Sequence, residues 1–129
     1  MRVLLKQLVW FFIIGCAAAA THWCVAVSLV ARVGWLPPVA NVCGWLVAFW
    51  VSFFGHFHFT FHRAGASRSR AALRFFLISA SGFALNEISY IWLLRVTALP
   101  YDLLLAAILI AVAGMTFLAS RLWAFRHNV

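Results

Sequence analysis

The chain has 129 residues, 67% of them apolar and only 9% charged, against about 25% charged in ordinary globular proteins. So few charges cannot cover a water-facing surface of this size, which excludes a soluble domain and makes lipid the solvent. The formal net charge of +8 is a signal of orientation in a membrane and not of nucleic-acid binding, since no soluble basic face exists to carry it.

The chain opens with MRVLL, an apolar run and IIGC at 13–16, the form of a signal peptide with a lipoprotein cleavage box. The apolar stretch runs on past Cys16 to Val30, well beyond a signal core of about 7–15 residues, so it is kept as a first membrane span. Within it, Gly15, Ala18 and His22 stand at helical spacing. The first two suit close helix contact; His22 is a lone intramembrane histidine, either a buried hydrogen-bonding group or part of a polar cavity. Cys16, Cys24 and Cys43 form no disulfide framework or CxxC pattern and read as small packing residues.

Three more apolar runs follow, so that residues 8–30, 39–61, 73–94 and 103–125 are each long enough to cross a hydrocarbon core about 30 Å thick. Backbone polar groups in lipid must be satisfied within the segment, which predicts four α-helices. A closed barrel needs strands of about ten residues divided by turns, and none is evident.

The second run starts near Asn41, which reads as no more than a cap or turn residue, and ends in GHFHFTFHR at 55–63. There Phe57, Phe59 and Phe61 alternate with His56, His58 and Thr60 in the period-two pattern of a strand, and the histidines suggest a metal site. At about 100° per helical residue, His56 and His58 point apart, and the pair His58 and His62 lacks a third ligand. Interfacial histidines and aromatics at headgroup level fit better. Residues 63–72, containing AGASRSR, form a polar linker.

The third run opens on Arg74, Phe75 and Phe76 and carries a small-and-polar stripe of Ser79, Gly82, Asn86 and Tyr90. Glu87 lies beside it. An ionisable group inside a span is expensive and functional by default, so Glu87 and Asn86 are candidates to line a cavity; the alternatives are an ion pair of Glu87 with Arg95 or Arg32, or a protonated carboxyl. In the fourth run Asp102, following Pro100, reads as a solvated helix start. Arg121 stands one turn inside Phe125, placed either to pair with a phosphate at headgroup depth or to snorkel to the interface.

An offset of 64 residues lays Phe11 to Ile14 on Phe75 to Ile78, His22 on Asn86, Phe53 on Phe117 and Phe61 on Phe125 without a gap. The predicted architecture is an all-α membrane protein, a single domain over 1–129, built as two parallel two-helix repeats: repeat 1 at 1–62, the linker at 63–72 and repeat 2 at 73–129. Repeats of two spans keep their orientation. Arg2, Lys6, the arginines at 63–74, Arg121 and Arg126 put both termini and the linker in the cytoplasm by the positive-inside rule. GHFHFTFHR falls on ASRLWAFRH at 119–127, which has no strand-like alternation, so it too reads as a helix end.

Arg74 with its paired aromatics and FLASRLWAF at 117–125 resemble the GtrA-like family of small four-span bacterial membrane proteins, whose even helices tend to end in FxxNRxWxF. The second copy keeps Phe117, Arg121, Trp123 and Phe125 with Ser120 in place of Asn; the first keeps Phe53 and Phe61 but has His56, Phe57 and Phe59 for Asn, Arg and Trp. The resemblance implies flipping of a polyprenyl-phosphate-linked sugar across the cytoplasmic (inner) membrane for cell-surface polysaccharide or lipid glycosylation. On that basis the candidate substrate-binding residues are Arg121, Trp123, Glu87, Asn86, Ser120, His22, His56 and Arg74, with Arg121 on the phosphate, Trp123 at the interface or stacked on sugar, and Asn86 and Glu87 on sugar hydroxyls. The partners are the lipid-linked sugar, membrane lipid and a second copy, since four short helices enclose little space. The alternative is a non-transporting subunit that anchors a membrane glycosyltransferase. A small multidrug-type exporter fits less well, because Glu87 lies in the third helix where those exporters carry a Glu in the first. No catalytic constellation, nucleotide, haem or other cofactor site, or metal site is evident, so the chain does not read as an enzyme.

Overall fold

The computed structural model describes the backbone of residues 2–60 and 68–126, and the side chains of residues 5–59 except Gln7, of Leu73 and of residues 76–115. All described elements are helical: α1 (Arg2–Ser28) runs into a π-helical turn (Leu29–Val33), α2 (Pro37–Gly55) into a second one (His56–Thr60), and α3 (Arg68–Val96) and α4 (Tyr101–Arg126) complete the chain. Leu8–Val33, Pro37–Phe59 and Phe76–Val96 are long and apolar enough to cross a membrane, and Tyr101–Met115 is a shorter apolar helix. The rest of the expected fourth span lies beyond the described side chains. Leu8, Phe12, Trp50, Ile78, Ile88 and Ile110 are all exposed, the apolar all-round surface of helices that face lipid.

The connections at 34–36 and 97–100 are short, so α1 with α2 and α3 with α4 pack as antiparallel hairpins. Gly34 ends the first at φ 77°, a left-handed conformation that only glycine adopts without penalty. Its N–H donates to the Val30 carbonyl and that of Trp35 to the Leu29 carbonyl, both at 3.2 Å, satisfying acceptors that a helix end would otherwise leave bare in lipid. Two residues on, Pro37 and Pro38 open α2, where a missing N–H costs nothing. The connection from α3 to α4 opens with Thr97, whose N–H and hydroxyl both donate to the Leu93 carbonyl at 3.0 and 2.7 Å. Asp102 follows in the first turn of α4, where a carboxylate complements the helix dipole.

Two contacts bring α1 and α2 close. A Cβ at Gly44 would stand 2.6 Å from the His22 backbone oxygen, and one at Gly55 2.8 Å from Ile14 Cγ2; small residues permit such approach between membrane helices. Gly15, expected from its spacing to pack, does not: it is exposed, and a Cβ there would meet nothing within 4 Å. Near the connections Ala26, Ala40, Tyr90, Leu104, Leu105 and Ile108 form the buried apolar cluster that joins all four helices.

GHFHFTFHR is helical through Thr60, and its remaining residues lie outside the described part. The strand pattern loses because lipid supplies no partner for a strand edge, whereas a helix satisfies its own backbone. His58 Nδ1 donates back to the Phe54 carbonyl at 2.8 Å. His56 is buried with its ring 4.8 Å from that of Phe11, and Phe59 stacks on Trp10 at 4.5 Å. Phe57 and Phe59 therefore lie on the helix end among other aromatics, and no group of three potential metal ligands occurs among the described residues.

Candidate functional site

Three helices each contribute polar side chains to one cluster, and its centre is Asn41, a residue with no exposed surface. His22 Nε2 donates to Asn41 Oδ1 at 2.6 Å. Asn41 Nδ2 donates twice, to Asn86 Oδ1 at 2.8 Å and to Glu87 Oε2 at 2.6 Å. One amide thus links α1, α2 and α3 with all its acceptor and donor groups in use, as a buried polar group in an apolar medium requires. Gly44 sits one turn below Asn41 on α2 and allows the backbone at His22 to approach, which brings the imidazole within reach.

A second bond from α2 to α3 is made by Trp45 Nε1, which donates to Ser79 Oγ at 2.9 Å while its ring stacks on Phe83 at 4.7 Å. On the α4 side, Tyr90 donates to the Tyr101 carbonyl at 3.2 Å and Trp23 Nε1 to the Asp102 carbonyl at 3.0 Å. Ser79, Asn86 and Tyr90, the polar members of the stripe read on α3, therefore all bond across to a neighbouring helix. No buried side-chain N or O among the described residues lacks a partner.

Of the candidate residues, His22, Asn86 and Glu87 are brought together, while His56 stands apart at the far end of α2 among aromatics. Arg74, Ser120, Arg121 and Trp123 lie outside the residues whose side chains are described. Asn41 was missed: its place near the start of a span suggests a cap, yet a fully buried amide four residues past a Pro-Pro start is the hub. A signal was present, since Asn41 is the one amide in the second span and His22 and Asn86 already shared a frame. The ion pair of Glu87 with Arg95 or Arg32 does not form; Asn41 holds the carboxylate instead. Between α2 and α3 lies a groove of ≈ 280 Å³ walled by Leu46, Phe49, Trp50, Leu73 and Phe76, wholly apolar and separate from the cluster.

The model of the family described as "GtrA/DPMS, transmembrane domain" matches residues 10–125. The chain belongs to that family. Neither a curated protein nor a solved structure matches it. Membership makes this GtrA/DPMS chain a membrane protein of a family involved in handling lipid-linked sugars, generally as transporters or flippases. For a GtrA/DPMS domain the polar cluster is then the feature of chemical interest: amide, imidazole and carboxylate groups lie within apolar spans and bond one helix to the next.

Proposed function

We propose that the chain flips a polyprenyl-phosphate-linked sugar across the bacterial cytoplasmic membrane, for cell-surface polysaccharide or lipid glycosylation. The observation that carries this is the cluster of His22, Asn41, Asn86 and Glu87 inside spans that are otherwise apolar. A sugar crossing a bilayer needs its lost hydrogen bonds to water replaced along the way, and an amide hub offers both donors and acceptors. Arg121 supplies the phosphate contact at the cytoplasmic interface, Trp123, Ser120 and Arg74 are further substrate-binding residues, and His56 is the counterpart of Ser120 in the first copy, which has no arginine at the following position. Both termini are cytoplasmic, so the cluster stands in the outer half of the membrane and the phosphate contact in the inner half. The protein works as a homodimer, because four short helices enclose little space.

A two-repeat construction is supported by burial: Ala26, Ala40, Asn41 and Gly44 are buried, and so are Tyr90, Leu104, Leu105 and Ile108, their counterparts at the same offset. The accessory reading, an anchor for a membrane glycosyltransferase, is favoured by one observation: no buried side-chain N or O among the described residues is left without a partner for a substrate to satisfy. Liposomes containing only this protein and a labelled polyprenyl-phosphate sugar separate the two. Flipping by the wild type that falls at least about tenfold in Arg121→Ala, the loss of about 1.4 kcal/mol of transition-state stabilisation, supports the assignment. Flipping that is equal with and without protein supports the anchor.

A further inference from the structure

We infer that Glu87 is a proton-binding group that couples movement of the lipid-linked sugar to a proton gradient, with Asn41 as the group that senses its charge. This rests on the translocation reading. Glu87 is half-buried in α3, nine residues before the Val96 end of the span. A carboxylate at such depth normally pairs with a cation or gives up its charge. Here its hydrogen bond comes from a neutral amide, and no ion pair joins it to any Lys or Arg among the described residues, Arg32 and Arg95 included. An amide donor supports the ionised form without fixing it, as a buried arginine would, so both protonation states are within reach.

The hydrogen-bond directions show what loading a proton changes. An ionised carboxylate only accepts, so it turns Asn41 Nδ2 toward itself, and the same nitrogen then takes Asn86 Oδ1. Asn41 Oδ1 is left facing α1, which requires the hydrogen of His22 to sit on Nε2. The charge on α3 thereby sets the amide orientation on α2 and the tautomer on α1. When a proton from the water on one side binds a carboxylate oxygen, Glu87 becomes a neutral group that donates through that oxygen. It then competes for the amide oxygens of Asn41 and Asn86, and the link between three helices at Asn41 is released from the arrangement that the charge imposed. Loss of the proton to the other side restores it, so one proton crosses per cycle with nothing oxidised or reduced.

The groups facing Glu87 are few. From α1 comes His22, reached through Asn41; from α2, Asn41 itself; from its own helix, Asn86 and Tyr90; and from the start of α4, Tyr101 and Asp102, to whose backbone Tyr90 and Trp23 are tied. None of these is a fixed cation.

Proteoliposomes holding the full-length protein test this with two readouts. In the first, a labelled polyprenyl-phosphate sugar equilibrates under an imposed gradient of one pH unit; one coupled proton gives up to about tenfold accumulation across the membrane, abolished by a protonophore and in Glu87→Gln. Redistribution to equal levels at any pH gradient in the wild type overturns the coupling while leaving translocation intact. In the second, a hydrophobic carbodiimide, which reacts with protonated carboxyls, is followed by peptide mass analysis without any sugar lipid. Modification at Glu87 that declines as pH rises, with Glu87→Asp modified likewise, supports a proton site even if no sugar moves, in which case translocation and its coupling fail and the proton site stands. No modification at Glu87 at any pH overturns the proton site.

Discussion

In the first hairpin α1 and α2 meet around His22, Asn41 and Gly44, whereas in the second α3 and α4 meet around Tyr90, Leu104, Leu105 and Ile108. Asn41 and Gly44 fall on Leu105 and Ile108 at the 64-residue offset, but the chemistry differs. Where the first hairpin buries a glycine the second buries an isoleucine, and where the first buries an amide the second buries a leucine. Toward the other end of the helices the correspondence stops: Ile14 is 6% exposed and packs near Gly55, while Ile78 is 71% exposed. A shared frame of burial thus serves two closures, one by backbone proximity and a polar bond, the other by side-chain volume. In lipid the hydrophobic effect does not drive helices together, so close packing and interhelical hydrogen bonds must; the first hairpin uses both and the second mostly the former.

The largest effect is expected from giving the first hairpin the volume of the second. Gly44→Leu puts a side chain where a Cβ alone would stand 2.6 Å from backbone and 2.7 Å from the His22 ring, and backbone cannot move aside as a side-chain tip does. A loss of roughly 3 kcal/mol, the upper part of the range for overpacked sites, is expected in a denaturing-detergent titration of the purified protein. Gly82→Ala, where an added Cβ meets nothing within 4 Å, should instead be neutral or stabilising by up to about 1 kcal/mol from helix propensity. Equal losses in the two variants would break the distinction between the hairpins.

Replacing the amide hub by its apolar counterpart comes next. Asn41→Leu removes three hydrogen bonds at once, and at about 0.6 kcal/mol for an average interhelical bond in a membrane the loss is about 2 kcal/mol. The informative measurement is the double variant: with Asn41 already leucine, Glu87→Gln should add little, since the bond to the carboxylate no longer exists. Full additivity would show that the two residues act independently and that the cluster is not a unit.

Much of this organisation was legible in advance, and for a physical reason. Four apolar runs and the helix entry after Pro100 are statements about hydrocarbon thickness and backbone geometry, which act locally and leave their mark on contiguous residues. His22, Asn86 and Glu87 were legible as candidates because each is costly where it stands. Asn41 was not, because its role comes from the approach of three helices and its sequence neighbourhood, two residues beyond a Pro-Pro-Val start, is that of an ordinary helix beginning. The strand-like alternation of GHFHFTFHR was already outvoted by the apolar run before it and by its copy at 119–127, since a periodicity of two is only informative where a strand has a neighbour to pair with. Gly15 did mislead, since small-residue spacing permits close packing without showing that a partner is there.

The smallest expected effect sharpens the second hairpin's half of the comparison. Tyr90 is almost wholly buried, and its hydroxyl donates to the Tyr101 carbonyl at 3.2 Å, the longest of the side-chain bonds between helices. Tyr90→Phe removes that bond while keeping the ring against Leu104 and Leu105, so the loss should be about 0.5 kcal/mol, within reach of the same titration when variants are measured side by side. If volume closes this hairpin, Tyr90→Ala must cost several times more, because the cavity it leaves is lined by residues from four helices that cannot all collapse into it. A Tyr90→Phe loss as large as that of Tyr90→Ala would mean that the hydroxyl, and not the ring, holds α3 to α4. The second hairpin would then be closed by a polar bond like the first, and the difference between Asn41 and Leu105 would have to be explained by what the amide does for the sugar or the proton.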